Sequence, residues 1–280
     1  MKIGITEASY RRMYGDERFK IIRDHGYEAA DYDLANTDHP IYNASDAEFE
    51  SMLLKDKALA AEAGVEIAQV HGPWRWPPQD FTDEDRAERM EKMKKSLRGT
   101  SLLGCRYWVI HPIMPFSHED GGHEKETHEM NLAFMGELLR EAKKYGITIC
   151  FENMPMRNLS LGSPQATLDF VKEMNDENFK MCLDLGHMTL FPKESAADFV
   201  RKHAEYIPVF HIHDSNGWAD LHLMPYYGVT DWDEFGKALK ETGFSGVFSL
   251  ETAPAGKLPR DLHERMSRLL YDIAKRVCDV

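Results

Sequence analysis

The sequence predicts an α/β protein: a single (β/α)8 barrel of the TIM type over residues 1–280, with its active site at the C-terminal ends of the strands. Three observations carry this. Short apolar β-rich runs alternate with longer amphipathic stretches from end to end, and there are eight such runs. Helical stretches close on Ala-Gly, Leu-Gly, Tyr-Gly or Thr-Gly just before the next run, as a glycine-terminated helix feeding a parallel strand would. A doubly wound open sheet is the competing architecture, and eight successive βα units favour the closed barrel.

The strands follow in order as KIGIT at 2–6, YEAADYD at 27–33, EIAQVH at 66–71, YWVIHP at 107–112, ITICFE at 147–152, FKMCLD at 179–184, PVFHIHD at 208–214 and GVFSLE at 246–251. Most are near-continuously apolar, the pattern of parallel strands covered on both faces. Helices are predicted over DAEFESMLLKDKALAAEAG at 46–64, DEDRAERMEKMKKSLRGTSLLG at 83–104 and HEMNLAFMGELLREAKKYG at 128–146. Each repeats apolar residues at three- and four-residue spacing, and several begin on an acidic or hydroxyl residue able to cap the first turn.

The net charge of −13 argues against a large nucleic-acid surface, which would need many Lys and Arg contacts to phosphate. A small-molecule partner is expected. Cys105, Cys150, Cys182 and Cys278 show no CxxC spacing, so reduced, packed thiols are expected. No segment approaches the ~20 apolar residues of a membrane span, and the opening MKIGIT enters a strand without a signal-like segment. The expectation is a cytoplasmic protein that binds neither membrane nor nucleic acid. Its exposed outer helices would suit a homodimer, though no surface is singled out.

The chemistry lies at the strand ends. His71, His111, Glu152, Asp184, His187, His211, Asp220, His222 and Glu251 fall at the end of an apolar run or just after it. Carboxylates and imidazoles are costly there unless paired, and a divalent cation held by mixed nitrogen and oxygen donors would satisfy several at once. Glu152, Asp184, Glu251 and a histidine of FHIHD form the strongest subset, suited to Mn²⁺, Mg²⁺, Co²⁺ or Zn²⁺. His211 and His213 share strand parity, so alternation leaves the choice between them open. His71, His111 and His187 are candidates for binding substrate hydroxyls or, with Asp220 and His222, further metal. Trp74 and Trp76 in HGPWRWPP are placed to stack on a sugar ring or to pack the loop. Arg157 is a candidate for a substrate phosphate. His118, His123 and His128 read as solvated.

The segments VHGPW, VIHP, FENMP, CLDLGH, FHIHDSNG, DLH and SLE, in this order and spacing, resemble the xylose-isomerase-like barrel superfamily over almost the whole chain. It includes sugar and sugar-phosphate isomerases and epimerases and the apurinic-site endonucleases. The resemblance to keto-sugar epimerases implies one Mn²⁺-type ion held by Glu152, Asp184, His211 and Glu251, because their ligand histidine aligns with the first histidine of FHIHD. Where that motif continues to a substrate-binding arginine, this chain reads Ser215 to Trp218. The resemblance to the endonucleases implies instead a three-zinc cluster over all nine strand-end residues, but the turn after DLH departs from it at Met224 to Gly228.

The leading expectation is therefore a divalent-metal sugar, sugar-phosphate or keto-polyol isomerase or epimerase. Glu152 and Glu251 would remove and return the α-proton through a metal-stabilised enediolate. A dehydratase or lyase on a related keto-polyol would share the site, with His187 or His111 protonating the leaving group. A multi-zinc phosphodiesterase is the second alternative, opposed by the net charge and the acidic stretch from His118 to Glu129. A catalytically silent sugar-binding barrel is disfavoured because both glutamates are present.

Overall fold

A computed structural model describes residues 1–74, 80–117 and 121–280; Trp76 and His118 lie outside the described residues. Eight parallel strands form a nearly closed barrel with helices between them, in the order β7-β6-β5-β4-β3-β2-β1-β8. They are β1 Lys2–Thr6, β2 Ala29–Asp33, β3 Glu66–His71, β4 Tyr107–Ile110, β5 Thr148–Glu152, β6 Phe179–Asp184, β7 Val209–His211 and β8 Val247–Leu250. The helices are α1 Ala8–Tyr14, α2 Arg18–Asp24, α3 Asp46–Ala63, α4 Asp83–Leu103, α5 Glu124–Lys144, α6 Pro164–Met174, α7 Leu185–Met188, α8 Ala196–His203, α9 Trp232–Glu241 and α10 Arg260–Asp279.

The chain divides into two compact units whose boundaries fall within β2, α3, β3 and β6. One comprises Met1–Tyr32, Ala58–Ala68 and Leu183–Val280. Here the first and last strands pair, Lys2 to Ile5 against Val247 to Leu250, and a bridge from Ile212 to Leu250 ties the end of β7 to β8. Trp232, Phe235 and Phe248 fill the space between α9 and the strands. The other unit comprises Asp33–Lys57 and Gln69–Cys182. Here β4 pairs with β3 and β5, β5 pairs with β6, and Phe151, Phe170 and Phe179 pack α6 onto the sheet.

Local signals fix the element ends. Thr82 and Asp85 form a reciprocal capping box on α4, and Gly104 closes it in the left-handed conformation. Ser163, Ser195 and Asp231 cap α6, α8 and α9. Helix α5 begins at Glu124, before the expected His128, because its acidic first turn complements the helix dipole without a side-chain cap. All four cysteines are free thiols, three of them buried. Among the described residues no helix is long and apolar enough to cross a membrane.

Away from the strand ends, His25 is buried and its Nδ1 lies 3.0 Å from the Tyr10 hydroxyl. Burial, reinforced by the charge of Arg268, pushes its pKa down to about 4. The unfolded chain titrates near the ordinary value of about 6.5. Between these values the unfolded state binds the extra proton, so His25's contribution is fully present above about pH 6.5 and is lost as pH falls towards 4. Discounted for partial solvent screening, the expected loss from pH 7 to pH 5 is about 1 kcal/mol. Urea unfolding at both pH values should show a smaller pH difference in His25→Gln than in the wild type; equal differences would refute the assignment.

Candidate metal centre

In the unit that carries β4 and β5, the strand-end register sets the side chains. His71 ends β3 opposite Val109, and Glu152 ends β5 opposite Cys182. Glu152 is fully buried, and its Oε2 lies 3.1 Å from His111 Nε2 and 3.7 Å from His71 Nε2. His71 Nδ1 lies 2.8 Å from the carbonyl of Gly72, which places the proton of a neutral ring on Nδ1 and turns the Nε2 lone pair towards the carboxylate. Two acceptors facing each other are stable only with a proton or a cation between them. Trp74 meets His111 edge-on at 4.3 Å and packs against Met114, Met154, Met156 and Leu159. Of the two roles open to it, packing of the loop is the one these contacts give. Arg157 is exposed after β5, His123 stacks on Phe116, and His128 pairs with Glu173 at 2.8 Å.

The other unit brings together the remaining strand-end residues. Asp184 ends β6 and caps the short α7; its Oδ1 accepts the His187 backbone N–H at 2.6 Å and its Oδ2 lies 2.9 Å from His213 Nε2. His211 Nδ1 lies 3.4 Å from Glu251 Oε2 and 3.9 Å from Asp184 Oδ2. Ligand-capable atoms of Asp184, His211 and Glu251 all lie within 4.8 Å of one another. Two carboxylates converging on one imidazole nitrogen repel unless positive charge sits among them, so this donor set fits a divalent cation.

A second set adjoins it. His187, His213, Asp220 and His222 also place ligand-capable atoms within 4.8 Å of one another. Asp220 Oδ2 reaches His187 Nε2 at 3.4 Å and His222 Nε2 at 3.2 Å, and the rings of His213 and His222 stack at 4.1 Å. Burial works against charge on His222, but the hydrogen bond it donates to Asp220 and the charges of Glu251, Asp220 and Asp184 outweigh it and raise its pKa to about 10. Burial would raise Asp220, yet hydrogen bonding and charge from His187 and His222 hold it well below the usual carboxylate range. The site therefore favours positive charge. Gly186 is required beside it, since a Cβ there would lie 1.9 Å from the His213 ring.

Comparison with known proteins identifies the family. A family model described as a xylose isomerase-like TIM barrel matches residues 19–270. The chain belongs to that family. Its relatives include an uncharacterized protein of Methanocaldococcus jannaschii, 31% identical over 67% of this chain and 64% of that protein, just under two thirds of its length. A D-psicose 3-epimerase of Ruminiclostridium cellulolyticum is 25% identical over 70% of this chain and 66% of that protein. Among solved structures, a D-tagatose 3-epimerase-like protein superposes with a TM-score of 0.78 at 26% identity, covering 100% of this chain and 98% of that one.

Within this xylose isomerase-like barrel, two site residues, Asp31 and Asp214, escape the sequence reading, and a third, His213, enters it only as the alternative to His211. His213 lies in the second set, and strand parity already placed it on the same face as His211. Asp31 of β2 lies 3.2 Å through Oδ2 from His211 Nε2; its signal was a carboxylate near the end of YEAADYD. Asp214 organises the loop that carries Asp220 and His222. Its carboxylate accepts from the amides of Ser215, Gly228, Val229 and Thr230 and from Trp232 Nε1. No local pattern marks that role.

Proposed function

We propose that this chain is a divalent-metal-dependent sugar isomerase or epimerase, with Glu152, Asp184, His211 and Glu251 as ligands and Mn²⁺ as the fitting ion. The convergence of Asp184 and Glu251 on His211 Nδ1 carries the reading. Strand register supports adding Glu152 to the set: it is level with Cys182, and Asp184 follows two residues later on the same face of β6. The sugar epimerases among the chain's relatives support the substrate class. A carboxylate-rich donor set favours Mn²⁺ over softer ions.

When bound, the cation would polarise a sugar carbonyl and stabilise the negative charge developing as the neighbouring C–H is broken. Glu152 and Glu251 then act as the two bases, one taking the α-proton and the other returning it. Return to the opposite face of the same carbon inverts it; delivery to the adjacent carbon isomerises. His71, His111 and His187 bind hydroxyls, Trp74 packs the loop, and Arg157 takes a phosphate where the sugar bears one. The same proton abstraction followed by loss of a β-hydroxyl would make the protein a dehydratase.

A multi-zinc hydrolase is the second reading, favoured by the set of His187, His213, Asp220 and His222. Incubation of the Mn²⁺-loaded protein in D₂O with ketoses, ketose phosphates and inososes decides between them. Deuterium should enter at an α-carbon of one substrate, stop on chelation and return with Mn²⁺. Metal binding without exchange in any sugar, together with three zinc ions per chain and cleavage of abasic DNA, would replace this reading with the second.

A further inference from the structure

We infer that Asp80 and Arg89 are a positioning pair for His111: they grip the main chain just after β4, so that the imidazole Nε2 is held against the Glu152 carboxylate. This rests on the reading of Glu152 as a base and His111 as a hydroxyl binder proposed above. The segment His111–Met114 follows the last residue of β4, and all four of its residues are buried. Irregular backbone away from water must find partners for its polar groups. Here side chains supply them. Arg89 donates through Nη1 to Asp80 Oδ2 and through Nη2 to the His111 carbonyl at 3.4 Å, while the same Asp80 oxygen accepts the Met114 amide at 2.9 Å. Asn131 closes on the middle of the segment: its Oδ1 accepts the Ile113 amide and its Nδ2 donates to the Ile113 carbonyl, both at 2.9 Å. Pro112 has no N–H to satisfy and steers His111 away from helical backbone.

The pair is itself fixed. Asp80 is 1% and Arg89 5% exposed, so bulk water does not compete for their contacts, and Arg86 adds a further hold by donating to the Asp80 carbonyl at 2.6 Å. An imidazole is only as well placed as the backbone that carries it. His111 Nε2 stands 3.1 Å from Glu152 Oε2, and the rings of Trp74 and His71 meet the His111 ring edge-on at 4.3 and 4.9 Å. Those rings limit its tilt, while the grip on its carbonyl and on the Met114 amide sets where its Cα stands. Arg89 can serve Asp80 and His111 together because a planar guanidinium presents its donors as a rigid fork, which a lysine ammonium does not. Both residues therefore act on the site through His111.

The test uses the whole protein and Arg89→Lys, which keeps the charge and loses the fork. Histidine side-chain ¹H–¹³C spectra of the wild type should show one sharp His111 signal, and in Arg89→Lys that signal should broaden or split while those of His25 and His263 keep their positions. A role confined to stability would lower the melting temperature and leave the His111 signal sharp. In the Mn²⁺-loaded protein, deuterium exchange into whichever ketose, ketose phosphate or inosose the wild type labels should slow about 10–100-fold in Arg89→Lys, the size of loss that a misplaced binding group gives. On a His111→Gln background the same change should cost no more than about twofold, because the group it positions is gone. An unaltered His111 signal in folded Arg89→Lys, or an equal fold-loss with and without His111, overturns the inference. Should Arg89→Lys not fold, Asp80→Asn, which still accepts the Met114 amide but loses the charge that holds Arg89, decides by the same two readouts. If the wild type labels no sugar at all, the isomerase reading fails, whereas the His111 signal still judges the pair by itself.

Discussion

Glu251→Gln is expected to slow net epimerisation or isomerisation by about 10²–10⁴-fold while leaving proton exchange from one of the two epimers measurable. The asymmetry follows from the two-base proposal. An enzyme that inverts a carbon by taking the proton on one face and returning it on the other needs both carboxylates for turnover, but only one for each half. With Glu251 amidated, the substrate whose α-hydrogen faces Glu152 should still exchange with D₂O, whereas its epimer should not. Glu152→Gln should give the mirror result. Glutamine keeps one oxygen donor, so part of the metal affinity should survive, and metal content measured on each variant separates lost ligand from lost base. Equal loss of exchange from both epimers in a variant that still holds its metal would sink the two-base assignment, as would wild-type turnover.

How much of this was legible beforehand depends on whether the signal was local. The strands were, because continuous apolar runs such as ITICFE and FKMCLD have few alternatives once both faces are covered, and β5 and β6 form within those limits. The strand-end acids were legible for the same reason: Glu152 and Asp184 break apolar runs and need a partner. Strand 7 shows where local reading stops. PVFHIHD was read as a strand to Asp214, but β7 ends at His211, because Asp214 pairs antiparallel with Leu223 and its carboxylate binds amides up to 16 residues further on. Those partners lie in a turn without periodicity, where Tyr226 adopts a φ of 70° and His222 a φ of 47°. Asp31 was hidden differently. In YEAADYD it is one of several acidic residues, and only the placement of His211 Nε2 beside it distinguishes it from Glu28 or Asp33.

Asp214→Ala is expected to be among the most destabilising single substitutions in the chain, by about 3–5 kcal/mol, although Asp214 is proposed neither as a ligand nor as a base. Its Oδ2 accepts from Gly228 N and Trp232 Nε1, both at 2.8 Å, and its Oδ1 from Ser215 N at 2.9 Å, Val229 N at 3.1 Å and Thr230 N at 3.3 Å. Asp214 is fully buried and Trp232 is 1% exposed, so the donors released by alanine are not simply handed to water. Each buried donor left without an acceptor costs about 1–3 kcal/mol, and partial rehydration of the loop amides keeps the sum below the additive limit. Gly228 allows the approach, since a Cβ there would lie 2.3 Å from Asp214 Oδ1. For comparison, Asp231 caps α9 by accepting the Glu234 amide at 3.0 Å, and Asp231→Ala should cost only about 1 kcal/mol. A thermal-denaturation series on the two alanine variants and Asp214→Asn should rank Asp214→Ala lowest by several degrees, with Asp214→Asn between. Because this loop carries Asp220 and His222, Asp214→Ala should also raise hydrogen exchange across residues 215–230 before the rest of the chain. Equal melting temperatures for Asp214→Ala and Asp231→Ala would show that the loop holds its shape without the buried carboxylate.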